Sequence, residues 1–275
     1  MEPARMASEI KIGITGAAGR MGRMLVNAVL ATDGCALAGA TEAPNTSAIG
    51  MDIGLLTHSL KDIGIYVTDN SEELFAASDA VIDFTSPSIT ELHAGLAGEH
   101  KTALIVGTTG LAPGQQSALE LAAKKTAIVQ AANFSIGVNL LLGLVEQAAK
   151  TLPQSYDIEI SDMHHRHKVD APSGTALALG QAAATGRGVN LADVMVSARD
   201  GITGPRREGD IGMAVFRGGD VVGDHTVMFA ASGERVELTH KATSREIFAA
   251  GAVRAAIWAN SSAPGLYSMR NVLGF

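Results

Sequence analysis

A run of five basic side chains in the middle of the chain is the part of the sequence best suited to chemistry. Its members, called the cationic run below, are His164, His165, Arg166, His167 and Lys168. Histidine and lysine can transfer protons, and in a chain of net charge −7 such a run attracts anions locally. Because side chains alternate faces along a strand, we expect the preceding strand to end here and the run to form a loop at the rim of a site.

Two other interpretations of the cationic run remain open. The histidines could bind a metal, but Arg166 and Lys168 would repel a cation and Asp162 is the only nearby carboxylate, so we predict no metal. The run could instead be a solvated surface loop, as charge runs usually are. The motif that follows it favours a binding site.

The segment after the cationic run is typical of a helix N-terminus. It contains Ser173, Gly174 and Thr175, followed by an Ala/Leu-rich helical pattern. Such an N-terminus presents N–H groups and hydroxyls to an anion, although Ser173 is also a good N-cap and the segment could be no more than a capped helix start. A cationic run beside an anion-binding helix end predicts a substrate with two carboxylates.

A glycine-rich segment lies between the first predicted strand and the first predicted helix. This glycine segment consists of Gly16, Ala17, Ala18, Gly19, Arg20, Met21 and Gly22. Glycines allow the backbone to approach a pyrophosphate, and the helix N-terminus supplies N–H groups and a positive dipole end. The spacing G-x-x-G-x-x-G departs from the strict dinucleotide-binding pattern at Ala18, so by itself the segment could be only a turn.

An acidic residue at the end of the second predicted strand strengthens the dinucleotide interpretation. Glu42 lies twenty residues after Gly22, where a carboxylate can accept hydrogen bonds from the adenosine ribose. It would repel a 2′-phosphate, and the following Ala43 offers no cation to offset this, although Arg20 could still reach such a phosphate. We therefore predict NADH as the preferred cofactor, with NADPH tolerated.

Three later strand ends carry residues that could complete the cofactor site. In open parallel sheets, ligands bind at the carboxyl ends of the strands. The candidates there are Phe84, Gly107, Thr108, Thr109, Ala131, Ala132, Asn133 and Phe134. Each of them alone could equally reflect ordinary turn chemistry.

Short apolar strands alternate with helical patterns over residues 1–133. This predicts an α/β fold in which a parallel sheet is covered on both faces, a Rossmann-type dinucleotide-binding domain. Residues 134–241 show a different, α+β pattern and predict a substrate-binding domain with an open mixed sheet. The helical pattern within 242–275 is expected to return to the first domain.

Three segments of the second domain have the pattern of antiparallel strands joined by tight turns. They are residues 210–217, 221–231 and 235–241. The connecting turns contain Gly218–Gly219–Asp220 and Ala231–Ser232–Gly233, so we expect each segment to pair with the next as a hairpin.

Length, charge and cysteine content restrict the possible functions. A chain of 275 residues exceeds the usual size of a single core, and its net charge of −7 argues against nucleic acid and anionic membranes as main partners. No apolar stretch is long enough to span a membrane, and the first residues do not resemble a signal peptide. The single cysteine, Cys35, fits a reducing compartment, so we expect a cytoplasmic protein.

Together these motifs resemble the 4-hydroxy-tetrahydrodipicolinate reductase family, the dihydrodipicolinate reductases of bacterial and plant lysine and diaminopimelate synthesis. The resemblance extends from residue 9 to the C-terminus, and residues 164–175 are its most specific part. It implies reduction of 4-hydroxy-tetrahydrodipicolinate to tetrahydrodipicolinate with NADH or NADPH. It also implies a homotetramer assembled through the sheet of the second domain.

The resemblance assigns roles to individual residues. His164 would be the catalytic acid/base, Lys168 the proton donor, and Glu42 would bind the ribose. The residues implied to hold the substrate are His165, Lys168, Gly174 and Thr175. The chain departs from the common bacterial pattern at Ala18, where glycine is usual, and at Ala43, where an arginine that favours the 2′-phosphate can occur.

Two alternative functions remain open at the level of the sequence. Aspartate and homoserine dehydrogenases share such a first domain and an open second sheet, and the fold alone does not separate them from the reductases. A non-catalytic NAD(H)-sensing protein would keep the glycine segment but would not need the cationic run. The cationic run together with residues 173–175 favours the reductase.

Overall fold

A computed structural model of the chain describes residues 9–57 and 61–275, and these divide into two compact units. Unit 1 contains the described residues up to Phe134 together with Glu246–Gly274. Unit 2 contains Ser135–Arg245 and the C-terminal Phe275. The divisions at 134/135 and 245/246 lie one and four residues beyond the boundaries expected at 133/134 and 241/242.

Unit 1 is built on a seven-stranded sheet in which every pair of neighbouring strands is parallel. In chain order the strands are β1 (Ile10–Thr15), β2 (Cys35–Thr41), β3 (Val67–Thr68), β4 (Ala80–Asp83), β5 (Ala103–Val106), β6 (Ala127–Gln130) and β12 (Gly265–Tyr267). The order across the sheet is β12-β6-β5-β4-β1-β2-β3. The central strands β4 and β5 are buried at every residue, which explains why every residue in them except Asp83 is apolar.

The helices of unit 1 cover this sheet. They are α1 (Arg20–Leu30), α2 (Ser71–Ala77), α3 (Pro87–His100), α4 (Pro113–Ala122), α8 (Glu246–Asn260) and α9 (Met269–Leu273). The alanine-rich α8 packs against α1, β4 and β5. A Cβ on Gly251 of this helix would lie 1.8 Å from the carbonyl oxygen of Phe134, so small residues allow the close approach. The elements β12 and α9 were not predicted.

Unit 2 contains a five-stranded mixed sheet with the order β11-β10-β7-β9-β8. Its strands are β7 (Asp157–His164), β8 (Met195–Val196), β9 (Ile211–Arg217), β10 (Gly223–Ala231) and β11 (Glu234–Ala242). Its helices are α5 (Ile136–Thr151), α6 (Gly174–Arg187) and α7 (Leu191–Val194). Alternate residues of β7 are buried, so one face of the sheet forms a core with α5 and α6. In the described parts of the chain, no helix has the length and apolar character needed to cross a bilayer.

The expected hairpin between residues 210–217 and 221–231 is wrong. Strand β9 pairs in parallel with β7, and β10 pairs antiparallel with β7, so β7 lies between them. The chain after β9 crosses the end of β7, where the Gly218 N–H donates to the His164 carbonyl and the His165 N–H donates to the Val221 carbonyl. The glycines therefore form a crossing over a strand end, and a local turn pattern does not distinguish this from a hairpin. The next hairpin, β10 to β11, is formed as expected.

Candidate active site

The glycine segment forms the tight turn between β1 and α1. Gly16 has a φ of +62°, a conformation that favours glycine, and the buried Ala17 donates its N–H to the Thr41 carbonyl at 3.0 Å. A Cβ on Gly22 would lie 2.1 Å from the Gly16 carbonyl oxygen and 2.6 Å from the Ala17 Cα. Backbone thus touches backbone where the helix begins, which is the geometry of a dinucleotide-binding turn.

The carboxylate of Glu42 lies beside the glycine segment. One oxygen accepts the N–H of Ala18 at 3.0 Å and the other accepts the N–H of Ala43 at 3.0 Å. An N–H of the turn is therefore already oriented toward an anionic oxygen.

The loop after β4 connects the other predicted cofactor segments. A Cβ on Gly107 would lie 2.3 Å from the ring of Phe84, so glycine is needed beside this ring. The ring of Phe84 also contacts the ring of Phe134, with the two centroids 5.3 Å apart. The methyl group of Thr85 lies 2.9 Å from the position of a Cβ on Gly16. Phe84 and Thr85 therefore bring three separate segments together at the carboxyl edge of the parallel sheet.

The remaining predicted cofactor residues follow β5 and β6 at the same edge. They are Thr108, Thr109, Ala131, Ala132 and Asn133. The Ala131 N–H donates to the Val106 carbonyl at 3.1 Å, which aligns the two loops. The Thr108 hydroxyl is buried and has no hydrogen-bond partner within residues 9–57 and 61–275. A buried hydroxyl without a partner is what a bound cofactor could satisfy, so these loops fit a dinucleotide.

Asp83 and His93 form a buried pair that fixes the loop after β4, and no motif in the sequence had indicated this pair. Asp83 Oδ2 lies 2.8 Å from Nδ1 of His93 on α3. Asp83 Oδ1 accepts the Thr85 N–H at 2.9 Å and the Thr85 hydroxyl at 2.5 Å. Burial alone would raise the pKa of Asp83, but its contacts with His93 and Thr85 outweigh burial and hold the pKa below its usual range. The pair thus fixes Thr85, which contacts Gly16.

Replacing Asp83 with alanine will destabilise unit 1 and weaken NADH binding. The variant leaves His93 buried without the carboxylate that its Nδ1 contacts, and a buried polar group left without its partner costs about 1–3 kcal/mol. Urea unfolding measures the loss, and fluorescence titration measures NADH affinity. The exposed Asp69→Ala in the same unit is the matched control. Unfolding of Asp83→Ala at the control's midpoint contradicts this role.

In unit 2, His164 is the last residue of β7, and it is buried rather than placed on a rim. Its Nδ1 lies 2.7 Å from Asp162 Oδ1, and its ring meets that of His225 edge to face at 5.1 Å. A Cβ on Gly223 would lie 2.9 Å from Nε2, so glycine makes room for the ring. Burial is the largest effect on the pKa of His164 and lowers it. Asp162 raises this pKa, and His225 and Lys168 lower it, so that the net shift is downward. The balance of these effects favours the neutral form of the imidazole.

The rest of the cationic run leaves the sheet, as expected for a strand that ends here. His165, Arg166 and His167 line a shallow, open groove together with Arg245. Lys168 is largely buried and its Nζ lies 2.8 Å from Asp170 Oδ1. The cationic run is thus divided into one buried imidazole, His164, and a cationic rim. We had expected all five side chains to lie on one loop rim.

The N-terminus of α6 is attached to the same buried carboxylate as His164. Ser173 is the N-cap, and its hydroxyl accepts the Ala176 N–H at 3.1 Å. The Ser173 N–H donates to Asp162 Oδ2 at 2.8 Å, and its hydroxyl lies 3.2 Å from His225 Nε2. The predicted residues Gly174 and Thr175 are the first two of the helix. A Cβ on Gly174 would meet nothing within 4 Å, so there is space beside this helix end.

A cluster of charged and polar groups surrounds Asp162. Burial would by itself raise its pKa, but contacts with His225, the Ser173 N–H and His164 outweigh burial and hold the pKa well below its usual range. Within the described chain, Asp162, His164 and His225 each offer a ligand atom, all within 4.8 Å, a spacing that a divalent ion could bridge. The guanidinium of Arg217, 3.8 Å from Asp162, opposes a cation there, so we interpret the cluster as a polar network.

The sequence analysis gave no role to His225, and it considered Asp162 only as a carboxylate near a possible metal. The local signal that could have identified Asp162 is its place in a strand whose alternation puts it on the core face two residues before His164. His225 lies 52 positions after Ser173, and only the pairing of β10 with β7 brings them together.

Models of a known protein family match both units. The model of the dihydrodipicolinate reductase N-terminus matches residues 10–134, and the model of its C-terminus matches residues 137–273. The 4-hydroxy-tetrahydrodipicolinate reductase of Dinoroseobacter shibae is 53% identical over 96% of this chain and 97% of its own length. That of Parvibaculum lavamentivorans is 51% identical over 98% of this chain and 99% of its own.

Solved structures share the fold. A dipicolinate-bound dihydrodipicolinate reductase from Paenisporosarcina sp. TG-14 covers 94% of this chain and 97% of its own, with a TM-score of 0.76 and 24% identity. The predicted α/β class, with a Rossmann-type unit and an open mixed sheet, is confirmed. The resemblance to the reductase family found in the motifs is also confirmed, because both family models and the full-length relatives agree with it. The chain belongs to the dihydrodipicolinate reductase family.

Proposed function

We propose that this chain reduces 4-hydroxy-tetrahydrodipicolinate to tetrahydrodipicolinate with NADH or NADPH, in lysine and diaminopimelate biosynthesis. Its curated relatives bear the name of that reductase over nearly the whole chain. The observation that carries the proposal is the junction at Asp162, which joins His164 to an anion-binding helix end. A proton-transferring imidazole beside a carboxylate cradle suits a dianionic substrate.

The proposed roles follow from the chemistry of a conjugated imine. Loss of the 4-hydroxyl group as water would give the conjugated imine. A bound nicotinamide would supply the hydride, and the ring nitrogen of the substrate would then become more basic. The ammonium group of Lys168 stabilises the developing negative charge and donates the proton, while His164 acts as acid/base. Lys168 must exchange its contact with Asp170 for one with the substrate. The residues proposed to hold the substrate are His165, Lys168, Ser173, Gly174 and Thr175.

We propose a nicotinamide dinucleotide as the cofactor, with NADH preferred. The glycine segment would bind the pyrophosphate, and Glu42 would bind the adenosine ribose. The other proposed cofactor-binding residues are Phe84, Gly107, Thr108, Thr109, Ala131, Ala132, Asn133 and Phe134. The contact of Glu42 with the Ala18 N–H supports the preference, because it keeps a negative charge where a 2′-phosphate would lie.

Replacing Ala43 with arginine will shift the preference toward NADPH. The new guanidinium would stand next to Glu42 and offset its charge toward the 2′-phosphate. We expect the ratio of kcat/KM for NADPH to that for NADH to rise by about tenfold, which corresponds to about 1.4 kcal/mol. Steady-state kinetics with both cofactors measures it, with Ala43→Gln as an uncharged control of similar bulk. An unchanged ratio argues against Glu42 as the selecting group.

We further propose a homotetramer without a metal, located in the cytoplasm. The sheet face of unit 2 opposite α5 and α6 supports assembly, because the large apolar side chain of Phe216 is 50% exposed there. The single thiol, Cys35, agrees with a reducing compartment. Sedimentation equilibrium tests the tetramer, and full activity after dialysis against a chelator tests the absence of a metal.

The decisive experiment is NADH oxidation in the presence of the product of dihydrodipicolinate synthase, with NADPH in a parallel assay. Rapid oxidation that depends on this product supports the proposed reaction. Oxidation or reduction with aspartate semialdehyde or homoserine instead would favour an amino-acid dehydrogenase. Tight NADH binding without any substrate-dependent oxidation would favour a non-catalytic NAD(H)-sensing protein.

A further inference from the structure

The buried carboxylate of Asp162 contacts both parts of the proposed substrate site. Its Oδ1 lies 2.7 Å from His164 Nδ1, and its Oδ2 accepts the N–H of Ser173 at 2.8 Å. One oxygen thus faces the imidazole and the other faces the N-terminus of α6. The side chain is 1% exposed, so it does not contact bulk water or a ligand itself.

A third group completes this arrangement. His225 Nε2 lies 3.5 Å from Asp162 Oδ1 and 3.2 Å from the Ser173 hydroxyl. The ring of His225 therefore packs between the carboxylate, the helix cap and the ring of His164. A buried carboxylate is unfavourable unless it is paired with groups that stabilise its charge, and here the groups around it, His164, His225 and the Ser173 N–H, belong to the proposed site.

The position of the His164 ring indicates which nitrogen remains for the substrate. A carboxylate accepts hydrogen bonds and donates none, so it favours the imidazole tautomer that carries its proton on Nδ1. Nε2 is then the nitrogen with the lone pair. It lies beside Gly223, whose missing Cβ makes room for the ring in this orientation.

We infer that Asp162 is a positioning residue, which fixes the tautomer and orientation of His164 and holds the N-terminus of α6 at the same point. This inference rests on the proposed function, in which His164 and the helix end act on the substrate. Asp162 acts through these groups, because its side chain is 1% exposed and lies directly against His164 and the Ser173 N–H. Its loss should therefore affect the chemical step more than the binding of substrate or NADH.

Asp162→Asn separates the two contacts of the carboxylate. The amide oxygen can still accept the Ser173 N–H, so the helix end and the fold should be retained. The amide NH2 is a donor and cannot accept the Nδ1 proton of His164. We expect kcat to fall by about 100-fold or more, while KM for the dicarboxylate and Kd for NADH stay within about threefold. Asp193→Asn, an exposed carboxylate of the same unit, is the matched control.

Asp162→Glu, which retains the negative charge, is the second variant. We expect its kcat to exceed that of Asp162→Asn by about tenfold or more at a comparable thermal midpoint. If kcat is equal in the two variants, charge and hydrogen-bond acceptance are irrelevant and the inference is overturned. If Asp162→Asn keeps kcat within about threefold of wild type, the inference is overturned as well.

His164→Gln and the double variant distinguish this inference from the proposed function. If Asp162 acts through His164, Asp162→Asn adds little to the loss already caused by His164→Gln. Losses that multiply in the double variant overturn the inference but leave the role of His164 intact. A fully active His164→Gln instead removes His164 from the proposed function.

Discussion

Lys168→Ala will lower turnover by about 100- to 10,000-fold, the range in which one general acid contributes. The variant removes the proposed proton donor and also the cation that stabilises negative charge on the substrate. Lys168 lies in unit 2, whereas the glycine segment belongs to unit 1, so NADH affinity should remain near wild type. The stability change should be small, because the ion pair with Asp170 involves a carboxylate that is 55% exposed.

Steady-state NADH oxidation gives the turnover, and fluorescence titration gives the NADH affinity. Lys241→Ala, an exposed lysine of the same unit, is the matched control and should behave as wild type. Lys168→Arg keeps the charge but donates a proton poorly, so it should recover substrate KM more than kcat. Turnover of Lys168→Ala within a few-fold of wild type would show that the proposed role of Lys168 is wrong.

Gly22→Ala will lower both the stability of unit 1 and its affinity for NADH. The added Cβ would lie 2.1 Å from the Gly16 carbonyl oxygen, so backbone has to move where the turn meets α1. Overpacking commonly costs about 1–3 kcal/mol, and rigid backbone on both sides places this position at the upper end. Displacement of the N–H groups that we propose to face the pyrophosphate should weaken NADH binding by about tenfold or more.

Urea unfolding and NADH titration measure these two losses. Gly95→Ala is the matched control, because Gly95 is an exposed residue of α3 and its added Cβ would meet nothing within 4 Å. That control should be stabilised by about 0.4–1 kcal/mol, as expected for Gly→Ala in a compatible conformation. If Gly22→Ala retains wild-type stability and NADH affinity, the close contact between the turn and α1 is not required for either.

The fold of unit 1 could be predicted from the sequence because each signal was local. Strands β4 and β5 are short, mostly apolar runs followed by helices that begin at Pro87 and Pro113, and this local alternation is what predicted a parallel sheet. The glycine segment lies where the turn chemistry placed it. In contrast, β12 has only three residues, so its pairing with β6 left no periodic pattern to detect.

The strand order of unit 2 could not be read from adjacent segments. Consecutive strands usually pair, but β9 and β10 are separated by β7, whose buried alternation suits a central position. The same limit applied to the candidate site. His164 was identified from its residue type, whereas His225 reaches it only through strand pairing.

The crossing of residues 218–221 over the end of β7 restricts where this protein can accept added chain. Although this segment is a loop, its backbone forms hydrogen bonds with His164 and His165. An insertion there would therefore shift His164, the proposed acid/base. The two-residue turn at Ser232 and Gly233 simply connects β10 to β11, which pair directly with each other. A peptide tag or a circular-permutation joint therefore belongs at Ser232–Gly233, and length changes at 218–221 should abolish activity before they affect folding.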